Sequence, residues 1–310
     1  MGRTIGHWVL EPAPIGQGSF AIVWRARHSS TGQHAAVKEI NTDKLNPKLK
    51  ESLASEISVL ERTRHRNIVG LLDLIKEEGR IFLVLEFCGG GDLGHYLRRY
   101  GRVSEATAWY LLHQLAEGLK MLRANNLIHR DLKPQNLLLS DNSRQPVLKI
   151  ADFGFARNLQ PQGLAETLCG SPLYMAPEIL QFTKYDAKAD LWSVGTILFE
   201  LLTGKPPFNG ANHLQLLQNI ERGNGGVLPE PVAAALSPAC KQLLHQLLRR
   251  NPVERIGFPE FFSHPFLASA PPAPMLQHPS PKGSSTPPPT SPDQQGTPTA
   301  AHRGGQQQGG

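Results

Sequence analysis

The segment Gly16-Gln17-Gly18-Ser19-Phe20-Ala21-Ile22-Val23 sets two glycines two residues apart between strand-forming stretches. Lacking side chains, they could let backbone N–H groups approach a phosphate, and a bare hairpin turn explains the same pair equally well. The third position of a G-x-G-x-x-G pattern is Ala21, and no helix follows, which argues against a dinucleotide-binding fold and a Walker loop. Downstream, the apolar strand Ala35-Ala36-Val37 delivers Lys38, a cation that is either solvated at a strand end or aimed at an anion. Farther on stands His129-Arg130-Asp131-Leu132-Lys133-Pro134-Gln135-Asn136, followed sixteen residues after Asn136 by Asp152-Phe153-Gly154. Ala176-Pro177-Glu178 and Asp190-Leu191-Trp192-Ser193-Val194-Gly195 complete the series.

The surrounding pattern predicts the elements that must hold these residues. Ile22-Val23-Trp24, Ala35-Ala36-Val37 and Ile81-Phe82-Leu83-Val84-Leu85 read as short strands. Between them Leu49, Leu53, Ile57 and Leu60 recur at helical spacing across Pro47–Arg64. After Gly89-Gly90-Gly91 the texture turns helical, most clearly over Ala106–Arg123 and Leu191–Leu202. A small β-rich lobe, a glycine hinge and a larger α-rich lobe follow, with no internal repeat of solenoid length.

The ordered set of motifs resembles a eukaryotic protein kinase over residues 8–267. The resemblance implies an α+β bilobal fold: N-lobe 8–85 with one key helix, hinge 86–91, helical C-lobe 92–267. It also implies ATP and Mg²⁺. The phosphoryl-transfer transition state spreads negative charge over phosphate oxygens, so catalysis is mostly positioning and electrostatic stabilisation. Gly16 and Gly18 would cover the phosphates, and Lys38 would hold the α- and β-phosphates. Glu56, one turn before Leu60, is the expected partner of Lys38, with Glu51 as competitor. Asp152 and Asn136 would hold Mg²⁺, a hard cation that oxygen donors suit. Asp131 would orient the acceptor hydroxyl and take its proton, while Lys133 would neutralise the migrating γ-phosphate. Val23 and Ala36 would cover the adenine, with Leu138 beneath it. Glu86 and Cys88 would offer backbone hydrogen bonds, Leu85 would limit the back of the slot, and Asp92 completes the nucleotide-binding set.

By the same resemblance, residues 152–178 form an activation segment. Arg130, beside Asp131, would be paired by a phosphorylated residue there. Thr167 is the candidate, and Lys149 and Arg157 would complete the anion pocket. Ser171 would touch Asp131 and Lys133. Glu178 with Arg255 would lock the segment's end, and Asp190 would cap the catalytic-loop backbone.

Three stretches are similar to the autophagy-initiating Unc-51-like kinases: Glu86 to Leu93, Lys149 to Arg157, and Thr167 to Glu178. Lys133 marks serine/threonine kinases in this resemblance, and Phe155 favours serine. The expected partners are autophagy proteins as substrates. Members of that subfamily carry a C-terminal helical domain that docks a regulatory scaffold and membranes. No such domain follows here, so docking of that kind is not expected. A pseudokinase scaffold would lack one of Lys38, Asp131 or Asp152, and all three are present. A small-molecule kinase would not be expected to carry Ala176-Pro177-Glu178 or Asp190-Leu191-Trp192.

Composition sets the frame. The chain has 310 residues, 40% hydrophobic and 19% charged, enough for a sizeable core. Its net charge of +6 is spread among acids with no basic run, which reads as a solvated surface rather than a nucleic-acid face. Three scattered cysteines, Cys88, Cys169 and Cys240, fit neither a disulfide framework nor a zinc site. No apolar run approaches the ~18 residues of a membrane span, and no leader opens the chain. A cytoplasmic protein, recruited to autophagosome-forming membranes, is the expectation. Residues 271–310 hold ten prolines and six glycines, and with so little to bury they read as a disordered tail with Ser/Thr-Pro steps.

Overall fold

A computed structural model describes residues 3–18, 21–153, 157–158, 172–183, 185–223, 227–268 and 276. Among these, an antiparallel sheet forms the first part of the chain: β1 (Thr4–Ile5), β2 (Trp8–Gln17), β3 (Ala21–His28), β4 (His34–Asn41), β5 (Leu71–Glu77) and β6 (Arg80–Glu86). Its order is β1-β2-β3-β4-β6-β5. Regular structure thus starts at Thr4, ahead of residue 8, because Gly6 at φ 53° turns β1 back onto Trp8 and Val9.

The sheet buries both faces, and the two-residue period of a strand decides which side chain goes where. Ala35, Val37, Phe82 and Val84 share one buried cluster with Trp8 and Leu10. Ile40 and Leu83 point the other way, into the main core, where helix α1 (Pro47–Arg62) packs. Asn46 caps α1 by accepting from Leu49 N, and Pro47 sits at the first turn, where its missing N–H costs nothing. The helix buries Leu53, Glu56, Val59 and Leu60.

Helices dominate after Asp92: α2 (Leu93–Tyr100), α3 (Glu105–Ala124), α4 (Pro177–Leu180), α5 (Lys188–Thr203), α6 (His213–Arg222), α7 (Glu230–Ala235), α8 (Pro238–Leu247), α9 (Phe258–Phe262) and α10 (Pro265–Ala268). Short strands β7 (Leu127–Ile128), β8 (Leu137–Leu139), β9 (Leu148–Ile150) and β10 (Arg157–Asn158) pair as β7 with β10 and β8 with β9. Helix α3 supplies Leu111, Leu115, Leu119 and Leu122 to the core at a helical period. Helix α5 is buried nearly all round and ends on Gly204, whose left-handed φ of 80° suits a residue without Cβ. Within the stretch expected to be a disordered tail, Leu276 is 3% exposed, and its N–H donates to Arg144 O. No helix among the described residues is long and apolar enough to cross a membrane.

Candidate active site

Strand β4 carries Lys38 between its buried neighbours Val37 and Glu39, and alternation turns its side chain toward α1. There Lys38 Nζ meets Glu56 Oε1 at 2.6 Å and Asp152 Oδ1 at 3.8 Å. Glu51 lies on the exposed side of the same helix. Burial works against the Lys38 ammonium, but the two carboxylates outweigh it and raise its pKa, so the lysine is charged at neutral pH.

The loop after β7 is held from below. Asp190, buried on α5, accepts from His129 N and Arg130 N, both at 2.9 Å. Burial raises its carboxyl pKa, although the two donors pull it back. These bonds fix Arg130 at φ 69° and orient Asp131 beyond it. Lys133 Nζ bonds Asp131 Oδ2 at 2.7 Å, and Asn136 Nδ2 donates to Asp131 O at 2.8 Å and Oδ2 at 3.0 Å. His129 Nδ1 accepts from Asp131 N, which leaves its Nε2 proton to donate to Ala151 O at 3.0 Å. Ala151 N in turn donates to Asn136 O. Asp152 thus follows a residue bonded twice to this loop, and it sits at φ 63° with its side chain half exposed. Phe153 is buried behind it against the His129 ring.

This arrangement brings together Lys38, Glu56, Asp131, Lys133, Asn136 and Asp152. Asn136 gives its amide N–H groups to Asp131, so its carbonyl oxygen takes no part in those bonds. Among the described residues, no three His, Cys, Asp or Glu side chains converge on a metal point. A carboxylate and an amide oxygen, as Asp152 and Asn136 carry, are the donor types Mg²⁺ would take, with phosphate and water completing its shell.

The residues expected to face adenine are apolar and half-buried, as walls of an open cleft are. Ala36 lies opposite Leu85 in the β4–β6 ladder, Val23 opposite Lys38, and Leu138 opposite Lys149. Gly16 pairs with Val23, and Gly18 N donates to Ala21 O. A Cβ at either glycine would make only ordinary contacts, so packing does not require glycine there. Asp92 Oδ1 caps α2 by accepting from His95 N at 2.8 Å. Cys88 is half-buried in the hinge, with its thiol pushed up to about 12 by burial and by the Glu86 carboxylate.

Thr167, Ser171 and Phe155 lie outside the described residues, as does the Arg157 side chain. Arg130 Nη1 donates to Tyr185 Oη at 3.2 Å. One expectation needs correcting: Lys149 does not join Arg130 in an anion pocket. Its Nζ is committed to Glu86 Oε2 at 2.9 Å and Arg66 O at 2.7 Å. The register of β9 against β8 turns it that way, and no local spacing signals it. The Glu178–Arg255 pair is present and buried, at 2.6 and 2.9 Å.

A "Protein kinase domain" family model matches residues 11–267. The chain is 60% identical over 267 residues to "Serine/threonine-protein kinase ATG1c" of Arabidopsis thaliana, covering 86% of this chain and 36% of that protein. It is 54% identical over 276 residues to the ATG1a kinase of the same plant, covering 89% and 44%. Against the atg1 kinase of Schizosaccharomyces pombe the identity is 44% over 297 residues, covering 84% and 36%. The chain therefore spans less than half the length of these relatives.

Proposed function

Since this chain belongs to the protein kinase family, we propose that it transfers the γ-phosphoryl group of ATP to serine and threonine hydroxyls of proteins. The carrying observation is the Lys38 ammonium held at 2.6 Å by Glu56 and at 3.8 Å by Asp152, one cation linking strand, helix and loop. In that place it would pair with the α- and β-phosphates, while Gly16 and Gly18 offer backbone N–H groups over them. Mg²⁺ held by Asp152 and Asn136 would neutralise the charge that builds on the phosphate oxygens.

Asp131 would accept the proton of the acceptor hydroxyl. General-base assistance of this kind is typically worth ~10²–10⁴ in rate. Its other neighbour, Lys133, would balance charge on the moving phosphoryl group. Val23, Ala36, Leu85 and Leu138 would enclose the adenine, with backbone hydrogen bonds from Glu86 and Cys88 and with Asp92 at the slot's edge. Ser171 would complete the acceptor side, and phosphate on Thr167 would pair Arg130. Phe155 favours serine as acceptor.

The names of the similar plant and yeast kinases, with the motif resemblance, support a role in initiating autophagy. In that role its substrates are autophagy proteins, met in the cytoplasm or at forming autophagosomes.

The test is transfer from Mg²⁺-ATP to a generic protein substrate, with Asp152→Ala alongside and phosphoamino-acid analysis of the product. Phosphoserine that vanishes in the variant is expected. Transfer that survives Asp152→Ala, or that reaches only small molecules, would overturn the reading.

A further inference from the structure

Lys149 is buried, with only 8% of its side chain exposed, yet it stands outside the set just described. A buried ammonium is retained only where it is paired and hydrogen-bonded. Its two partners lie on different parts of the molecule. Glu86, at 2.9 Å, is the first hinge residue, and Arg66 O, at 2.7 Å, belongs to the connection between α1 and β5.

Both ends of this link are firmly seated. Glu86 N donates to Gly70 O at 2.8 Å, and Gly70 N reaches back toward Glu86 Oε2 at 3.4 Å. The 66–70 connection is bound to β9 by Ile150 N to Asn67 O, Val69 N to Ile150 O, and Asn67 Nδ2 to Leu148 O, each 2.9 Å. Gln114 of α3 closes the web by accepting from Leu148 N at 3.0 Å. Connection, strand and helix therefore form one body, and the Lys149–Glu86 bond fastens the start of the hinge to it. Three residues beyond Lys149, the same segment delivers Asp152.

The geometry points to Lys149 as a positioning residue for the nucleotide: through the Glu86 carboxylate it fixes the hinge backbone that would bond adenine. This rests on the ATP-dependent reading above. Lys149 touches no reacting atom. Its effect is to hold the hinge carbonyl and N–H groups in place before the nucleotide arrives, so that ordering them is not charged against binding.

The test compares wild type, Lys149→Met, Lys149→Arg and the double variant Lys149→Met/Glu86→Gln. Direct ADP binding and steady-state kinetics with ATP and a generic protein substrate are both measured. Methionine keeps the stem's packing and removes the charge. Lys149→Met should raise KM for ATP and the Kd for ADP about fivefold to tenfold, the scale of one charged hydrogen bond partly transmitted. The turnover number should stay within about twofold, as expected when only nucleotide binding is weakened. Lys149→Arg should recover most of the loss, and the double variant should be no worse than Lys149→Met alone.

Unchanged nucleotide affinity in Lys149→Met would overturn the inference. So would a fall in turnover that tracks a lowered melting temperature, which would make the lysine merely structural. Absence of nucleotide binding and transfer in wild type would instead refute the kinase reading itself, so the two failures are told apart.

Discussion

Arg255 is 1% exposed, and all five of its N–H donors are used. Two go to Glu178 Oε1 and Oε2, at 2.6 and 2.9 Å, and three to the carbonyls of Arg249, Lys188 and Arg250, at 3.0, 3.0 and 3.2 Å. Its guanidinium also lies 5.2 Å from the Trp192 ring centroid. The two sides of this pair should therefore respond unequally to mutation. Glu178→Gln keeps the shape and one acceptor but leaves the guanidinium uncompensated, a change worth about 3–5 kcal/mol for a buried pair. Arg255→Met strands the carboxylate and, in addition, three carbonyls, each worth about 1–3 kcal/mol where water cannot reach it. Arg255→Met should thus be the more damaging by at least about 1 kcal/mol. At about 2 °C per kcal/mol for a domain of this size, Glu178→Gln should lower the melting temperature by about 6–10 °C. Urea denaturation of both singles and the double Glu178→Gln/Arg255→Met closes the cycle, and their coupling should exceed about 1.5 kcal/mol. Equal losses in the two singles, or coupling near zero, would refute the reasoning.

Two further outcomes follow from the hinge and from α3. With its thiol pushed up to about 12, Cys88 should be almost wholly protonated at pH 7.5 and resist iodoacetamide in the folded protein. Peptide mass mapping should show it alkylated only in denaturant, and modification at the rate of an ordinary thiol would refute the burial argument. At Gly118, a Cβ would lie 2.7 Å from Ile150 Cδ1 and 2.9 Å from Asn67 O. Overpacking of about 1–3 kcal/mol outweighs the ~1 kcal/mol that alanine gains in a helix, so Gly118→Ala should lose about 1 kcal/mol in urea unfolding. A net gain would show that the 66–70 connection yields.

The grouping of Asp131, Lys133 and Asn136 is legible because the motif is local, the three lying within six residues of one another. Glu56 is preferred to Glu51 through the family resemblance, and the structure buries it with Leu53 and Leu60 on one face of α1. The surroundings of Lys149 are illegible for the opposite reason. Its partners are distant in sequence, and a three-residue strand carries no period long enough to show which way a side chain turns. Strand β5 is not legible because Leu71-Leu72-Asp73-Leu74-Ile75 suits a helix as well as a strand, and only pairing with β6 decides it. Leu276 sits in a stretch whose composition argues for disorder, yet one apolar side chain and one hydrogen bond hold it against the large lobe.

Lys38 has an oppositely charged neighbour in Glu39, which faces the other side of β4. There Glu39 accepts from Arg3 at 2.9 and 3.0 Å, Trp24 Nε1 at 2.9 Å and Arg80 at 2.9 Å. A slip of β4 by one residue would exchange the two side chains between faces. Glu39 would then confront Glu56 and Asp152, and Lys38 would confront Arg3 and Arg80, setting like charge against like charge on both faces of one strand. The adjacent pair therefore works as a two-sided key to strand alignment: the sheet can close in only one register, the one that delivers an ammonium to the cleft.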